Sequence, residues 1–266
     1  MISANSIDNN AVDFSDFGAR AYLDTYYSSV GSENRSLLEF YSTCYENVNE
    51  DSILLEFSGG PTIYSLIHAC TRVREIHFSD FLNDNLFEVR EWSSEKRNAH
   101  DWSAFFRTAL EYERGAGKVT VAEVKMRERL LREKLTRFFK SDAFARYPIL
   151  RSNQGKYDVI NVNFVPESIT QSKSEWKKML KKIKMLLKPT GTIVITSITG
   201  ASFYHIGEKI FPAVKVNERD ILDEVYSMGA SRKLTRYKSI PSEQFLHENE
   251  FDSGYTGMTF VEAVWT

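Results

Sequence analysis

Residues 157–164 read Y-D-V-I-N-V-N-F, a continuous β-prone run. A strand with one wet face alternates apolar and polar residues. A run of this kind suits a strand covered on both faces, as in a parallel sheet flanked by helices. The chain around it repeats the theme. Ser52–Phe57 (SILLEF), Arg74–Ser79 (REIHFS) and Thr192–Ser197 (TIVITS) read as further strands. A short strand also fits Phe138–Phe144, ending near Asp142.

Helical spacing fills the intervals. Leu37, Leu38, Tyr41 and Tyr45 place a helix over about residues 33–47. Helices are expected through 61–70, with Pro61 in the first turn, through 83–95, and over most of 101–138 with a break at Gly115–Gly117. Trp176, Met179, Leu180, Ile183, Leu186 and Leu187 recur at three- and four-residue steps in a helix that stops at Lys188-Pro189-Thr190-Gly191. A last helix around Glu218–Met228 precedes strands at about 231–238 and 258–265. Alternating strands and helices predict a mostly parallel sheet with helices on both faces. The lysines of 177–188 read as a solvated helix face.

Composition bounds the partners. A chain of 266 residues with 42% hydrophobic residues can bury a substantial core in one large domain. A net charge of −2 gives no electrostatic case for nucleic acid or a membrane surface. Cys44 and Cys70 are the two cysteines, without a CxxC pattern, so a reduced compartment fits and no metal site is expected. Residues 1–13 read as a flexible leader without a basic-then-apolar signal pattern. With no long apolar run, the chain is expected in the cytoplasm.

Two features carry chemistry. The unit L-L-E-F-S-G-G-P-T-I-Y (54–64) runs from strand into a glycine turn, where a ligand can approach backbone without meeting a Cβ. Asp80 ends the next strand, twenty residues after Gly60, where a carboxylate can accept hydrogen bonds from the hydroxyls of a ribose. Nucleoside-binding enzymes of several kinds share this logic. A tight turn and a helix N-cap would explain the same residues.

Narrower motifs follow. The stretches F-G-A-R-A-Y-L-D-T-Y-Y (17–27), G-G-P-T-I-Y (59–64), S-D-F-L-N-D-N (79–85), D-W-S (101–103), L-L-K-P-T-G (186–191) and S-F-Y-H-I-G-E-K-I-F (202–211) occur in this order. On them the chain resembles the family of nicotinamide, phenylethanolamine and indolethylamine N-methyltransferases. The resemblance implies a Rossmann-like seven-stranded sheet, with a helical cap over residues 14–50 and the core over 51–266. It implies S-adenosyl-L-methionine as cofactor, S-adenosylhomocysteine as product, and a small-molecule acceptor; the oligomeric state is unknown from the sequence, with a monomer as the default.

Carried over by position, Tyr22 and Tyr27 would close over the cofactor. Ser58, Gly59, Gly60 and Tyr64 would border its methionine portion, Asp80 and Asn85 its ribose and adenine surroundings, Asp142 and Ala143 its adenine, and Asn163 its sulfonium end. The acceptor would meet Tyr22, Phe164, Glu167, Ser197, Ala201, Tyr204 and Ala213. Tyr22 and Glu167 are the candidate catalytic groups.

The chain departs from the family in places. The first-strand motif D-x-G-x-G reads Glu56-Phe57-Ser58-Gly59-Gly60 here. Ser197 stands where several relatives carry a carboxylate, and Ala213 where some carry a hydroxyl. Displacement at a sulfonium needs positioning and dryness more than a covalent nucleophile. The leading expectation is therefore methyl transfer to a nitrogen of an amine or heteroaromatic acceptor. The departures leave open a degenerate cofactor-binding protein that partners another enzyme. An NAD-dependent oxidoreductase is disfavoured by the missing GxGxxG.

Overall fold

The computed structural model describes residues 14, 17–46, 48–206, 209–242 and 254–266. The expected leader at 1–13 lies outside them. Nine strands and eight α-helices are formed by the described residues. Seven strands make one sheet in the order β3-β2-β1-β4-β5-β9-β8. They are β1 (Ile53–Phe57), β2 (Glu75–Asp80), β3 (Leu135–Lys140), β4 (Tyr157–Asn163), β5 (Leu187–Thr199), β8 (Arg236–Pro241) and β9 (Gly257–Trp265). The first five run parallel, and β9 is antiparallel to both its neighbours.

Both faces of the sheet are buried, as the sequence of β4 requires. Period-two alternation sends Leu54, Val159 and Val194 to one core. It sends Leu55, Ile160, Val162, Ile193 and Ile195 to the other. The first core is closed by α1 (Ala19–Tyr27), α2 (Ser32–Thr43), α3 (Leu66–Ala69), α4 (Asn83–Ser93), α5 (Ser103–Arg114) and α6 (Val121–Lys134). The second is closed by α7 (Lys173–Lys184) and α8 (Glu218–Ser227). Both later helices start on side-chain caps: Ser172 accepts from the Glu175 amide, and Asn217 forms a capping box with Asp220.

Several boundaries differ from the sequence reading. After the glycine turn the helix is only Leu66–Ala69, and Pro61 lies in the preceding turn. The helix expected to reach 138 ends at Lys134, because β3 begins at Leu135 to pair with β2. Asp142 therefore follows that strand in a loop. The strand expected at 231–238 is Arg236–Pro241, since 231–235 turn first. A hairpin of β6 (Phe203–Ile206) and β7 (Lys209–Pro212) appears where no strand was expected.

The lysines of α7 are not simply solvated. Lys173 pairs with Asp220 at 2.7 Å, and Lys177 and Lys181 flank the buried Glu224 of α8 at 3.6 and 3.5 Å. Among the described residues no helix is long and apolar enough to cross a membrane.

Candidate active site

The sheet order reverses direction between β1 and β4, and in open α/β sheets ligands lodge at such a point, beyond the carboxyl ends of the strands. A cavity of about 640 Å³ opens there. Its walls come from the ends of β1, β2 and β4, the loop after β3, and α1 above.

One half is polar and backbone-rich. Gly60 has φ +64°, a conformation that a residue without Cβ adopts at little cost. A Cβ on Gly59 would lie 2.7 Å from both Glu56 Cγ and Phe78 Cζ, so this glycine is demanded by packing. Ser58 also sits at a positive φ of 52°. Its hydroxyl lies 3.2 Å from that of Ser141.

Asp80 is 4% exposed and organises this half. Its Oδ2 accepts the Gly60 amide at 2.8 Å, and its Oδ1 accepts the Leu82 amide at 2.7 Å and Asn85 Nδ2 at 2.9 Å. Burial raises its pKa, and those same hydrogen bonds pull it back. With one bond at Oδ2, that oxygen retains acceptor capacity. Asn85 Oδ1 is buried and without a partner among the described residues, an arrangement that a hydroxyl or amine of a ligand would satisfy. The Ser141 amide donates to the Asp80 carbonyl at 2.9 Å, bringing Asp142 and Ala143 to the same wall.

Tyrosines join this half to the next. Tyr27 stacks on Tyr64 with centroids 5.2 Å apart, and Tyr22 lies 5.6 Å from Tyr27. A Cβ on Gly60 would come within 4.0 Å of the Tyr22 ring. Burial pushes the phenols of Tyr22, Tyr27 and Tyr64 well above 10, so all three keep their protons at neutral pH.

The other half is aromatic. Phe14, Phe17, Tyr22, Tyr26, Phe164 and Tyr204 line it. Phe211 backs the wall, stacked on Tyr204 with centroids 5.5 Å apart. Tyr26 donates to the His205 carbonyl and ties α1 to the hairpin. Tyr204 donates to the Ser168 carbonyl at 3.3 Å. Phe164, at the end of β4, has φ +55°, an unusual conformation for a bulky residue, placed at the boundary between the halves.

Of the residues named from sequence, Tyr22, Tyr27, Ser58, Gly59, Gly60, Tyr64, Asp80, Asn85, Asp142, Ala143, Asn163, Phe164 and Tyr204 line the cavity together. Glu167, Ser197, Ala201 and Ala213 are buried but are not on its wall. β5 extends to Thr199, and its alternation turns Ile198, not Ser197, towards the cavity. Glu167 lies behind, its Oε1 accepting the Ile198 amide at 3.0 Å. Burial pushes the Glu167 carboxyl up to about 7, against hydrogen bonds from Ser197 and Ile198. Its Oε2 is buried without a partner among the described residues.

Sequence reasoning missed Phe14, Phe17 and Tyr26, although they flank or belong to the tyrosine-rich stretch. It also missed Tyr255 and Met258, brought in by β9 from far along the chain. Tyr255 donates to Glu33 at 2.9 Å at the same cavity.

Comparison with known proteins agrees with this geometry. The family model described as the NNMT/PNMT/TEMT family matches residues 7–253. Indolethylamine N-methyltransferase from Oryctolagus cuniculus is 28% identical over 80% of this chain and 82% of its own length. Nicotinamide N-methyltransferase from Sus scrofa is 27% identical over 81% of this chain and 82% of its own. Among solved structures, the 1,6-didemethyltoxoflavin-N1-methyltransferase of Burkholderia thailandensis, with its acceptor and S-adenosylhomocysteine bound, superposes with a TM-score of 0.51. It shares 11% identity, over 93% of this chain and 85% of that one, and so bears on the fold alone. The chain belongs to the NNMT/PNMT/TEMT family, and it is a small-molecule methyltransferase that draws its methyl group from S-adenosylmethionine.

Proposed function

We propose that the acceptor is a small, flat, nitrogen-containing aromatic molecule, held in the half of the cavity lined by Phe17, Tyr22, Tyr26, Phe164 and Tyr204. The observation that carries this reading is that aromatic faces form most of this wall, while Glu167 stands behind it and Glu33, the carboxylate on the wall beside Tyr26, is engaged by the Tyr255 hydroxyl. An alkylammonium must lose a proton before it can attack, which calls for a base at hand. A pyridine-type nitrogen attacks with a lone pair it already has. Aromatic faces also favour the cation that methylation of such a nitrogen creates.

The polar half fits the cofactor through Asp80, with spare acceptor capacity on Oδ2, and through the orphan Oδ1 of Asn85. In this reading Asp80 and Asn85 hold the ribose, and Asp142 and Ala143 flank the adenine. Ser58, Gly59, Gly60 and Tyr64 border the methionine portion, and Asn163 lies towards the sulfonium. Bound there, the cofactor supplies a methyl group on a positively charged sulfur.

The chain's own task is to align and to dry. Tyr22 and Tyr27 descend from α1 to cover both halves, and Tyr22 touches both. Because its phenol stays protonated, Tyr22 acts as a hydrogen-bond donor and a steric wall, not as a base. Water exclusion and alignment are where the rate enhancement is expected to arise. The chain works as a single catalytic domain, its cap at 14–50 and its core at 51–266, as a cytoplasmic monomer with no nucleic-acid partner. The net charge of −2 supports the last point.

The test is product mass spectrometry with methyl-labelled cofactor across a panel of heteroaromatic and aliphatic amines. Methylated ring nitrogens are expected, at rates that vary little between pH 6 and 8 when the cofactor is saturating. Exclusive turnover of alkylamines, with rates rising from pH 6 to pH 8, would contradict the reading.

A further inference from the structure

The sheet face beneath the cavity carries polar side chains where a core strand would carry apolar ones. Glu56 on β1, Asn161 and Asn163 on β4 and Thr196 on β5 all point to the side covered by α2 and α3. Strand register pairs Glu56 with Asn161 and Asn163 with Thr196. Glu56, Asn161 and Thr196 are fully buried; Asn163 alone of the four reaches the cavity wall.

Their hydrogen bonds have a definite direction. Asn161 Nδ2 and Asn163 Nδ2 donate to the Glu56 carboxyl at 3.0 and 2.6 Å, and Ser65 Oγ donates to it at 3.0 Å. The Asn161 Oδ1 accepts from Tyr45 at 3.1 Å. The Asn163 Oδ1 accepts from Thr196 at 2.8 Å and from the Tyr41 hydroxyl. An ionised carboxylate can only accept, so it fixes which end of each amide faces it. Asn163 then has its oxygen filled twice and one N–H engaged. Its second N–H is the valence left over.

The Glu56 side chain fits because Gly59 has none: a Cβ there would lie 2.7 Å from Glu56 Cγ.

We propose that Glu56 is a positioning residue for the cofactor, which locks Asn163 with its remaining N–H directed to the cavity as a donor to the bound cofactor. This rests on the reading that the cavity binds S-adenosylmethionine. Glu56 itself touches protein only.

Burial pushes Glu56 up to about 7, against the bonds from Asn161, Asn163 and Ser65. The titratable groups facing it are Tyr41 and Tyr45 from the cap side and Tyr64 from the turn before α3. Burial holds all three phenols well above 10, so they stay neutral. β2 contributes Phe78 beside Gly59, also neutral. Above about pH 7 the carboxylate locks both amides. Below it the protonated acid becomes a donor and the lock is lost.

The test combines calorimetry and side-chain amide NMR, with S-adenosylhomocysteine as the probe. In the wild-type protein, affinity is expected to fall about fivefold from pH 8 to pH 6, by the weakening of roughly one hydrogen bond. Glu56→Gln is expected to bind about tenfold more weakly at pH 8 and to show no pH dependence. Glu56→Asp is expected to keep a pH dependence. In the ligand-free wild type the Asn163 side-chain amide signals are expected to titrate with a midpoint near 7, a readout that needs no variant to fold. Wild-type affinity for Glu56→Gln at pH 8, or Asn163 signals that ignore pH, would overturn the proposal while leaving the cavity assignment standing. Failure of the wild type to bind the probe at all would overturn both.

Discussion

The two halves of the cavity are built from different materials. The cofactor half is made of strand ends, a backbone turn and one carboxylate that holds Gly60, Leu82 and Asn85 in place. The acceptor half is made of rings from α1, from the end of β4 and from a hairpin, with polar contacts such as Tyr26 to His205 and Tyr204 to Ser168 set behind the surface. The first half derives its geometry from hydrogen bonds that the sheet imposes. The second derives it from side-chain packing, which can be recast without disturbing the sheet. A shared donor and a variable acceptor follow from this division.

Substitutions should separate the two halves. The largest effect is expected at Glu167, buried behind the acceptor wall. A carboxyl held near 7 when folded, against an ordinary 4.5, favours the protonated form in the folded state. It costs nothing below about pH 4.5 and destabilises the fold progressively as pH rises to about 7. At roughly 1.4 kcal/mol per pKa unit the full penalty is about 3 kcal/mol. Glu167→Gln should therefore gain stability relative to wild type between pH 5 and pH 8, measured by urea unfolding at both. An unchanged difference would show that Glu167 is solvated and reachable.

A smaller effect is expected from Tyr204→Phe, which removes the bond to Ser168 and loosens the wall. The acceptor KM should rise about fivefold, the value of one hydrogen bond near 1 kcal/mol, while calorimetric affinity for the cofactor stays unchanged. Equal loss on both sides would break the division between the halves.

The smallest effect is expected at Ser58. Its left-handed backbone costs an L-residue roughly 1 kcal/mol, part of which glycine returns as lost chain entropy. Ser58→Gly should raise stability by about 0.5 kcal/mol in denaturant unfolding, with cofactor binding preserved. A loss of affinity would assign the serine hydroxyl a direct contact.

The same division governs what could be read from the chain alone. Asp80 was legible because it ends an apolar strand shortly after a glycine turn, and both signals are local. The buried row of Asn161 and Asn163 stood in plain sight within Y-D-V-I-N-V-N-F, but its meaning depends on Glu56 from another strand. Ser197 was placed on the wall by position, whereas the pleat turns its neighbour Ile198 there instead. Tyr255 and Met258 carry no local signal, since only the antiparallel pairing of β9 with β5 brings them to the cavity. The short helix after the glycines was overextended because Pro61 is as well suited to a turn as to a helix start.

The central claim is that the polar half holds S-adenosylmethionine through Asp80. Calorimetric titration of the wild type and of Asp80→Ala with S-adenosylmethionine tests it most directly. Removing the carboxylate strips the ligand's hydroxyls of an acceptor and leaves the Gly60 and Leu82 amides unpaired, so affinity should fall about a hundredfold, near 3 kcal/mol. Equal affinity for the two proteins, with both folded, would contradict the account.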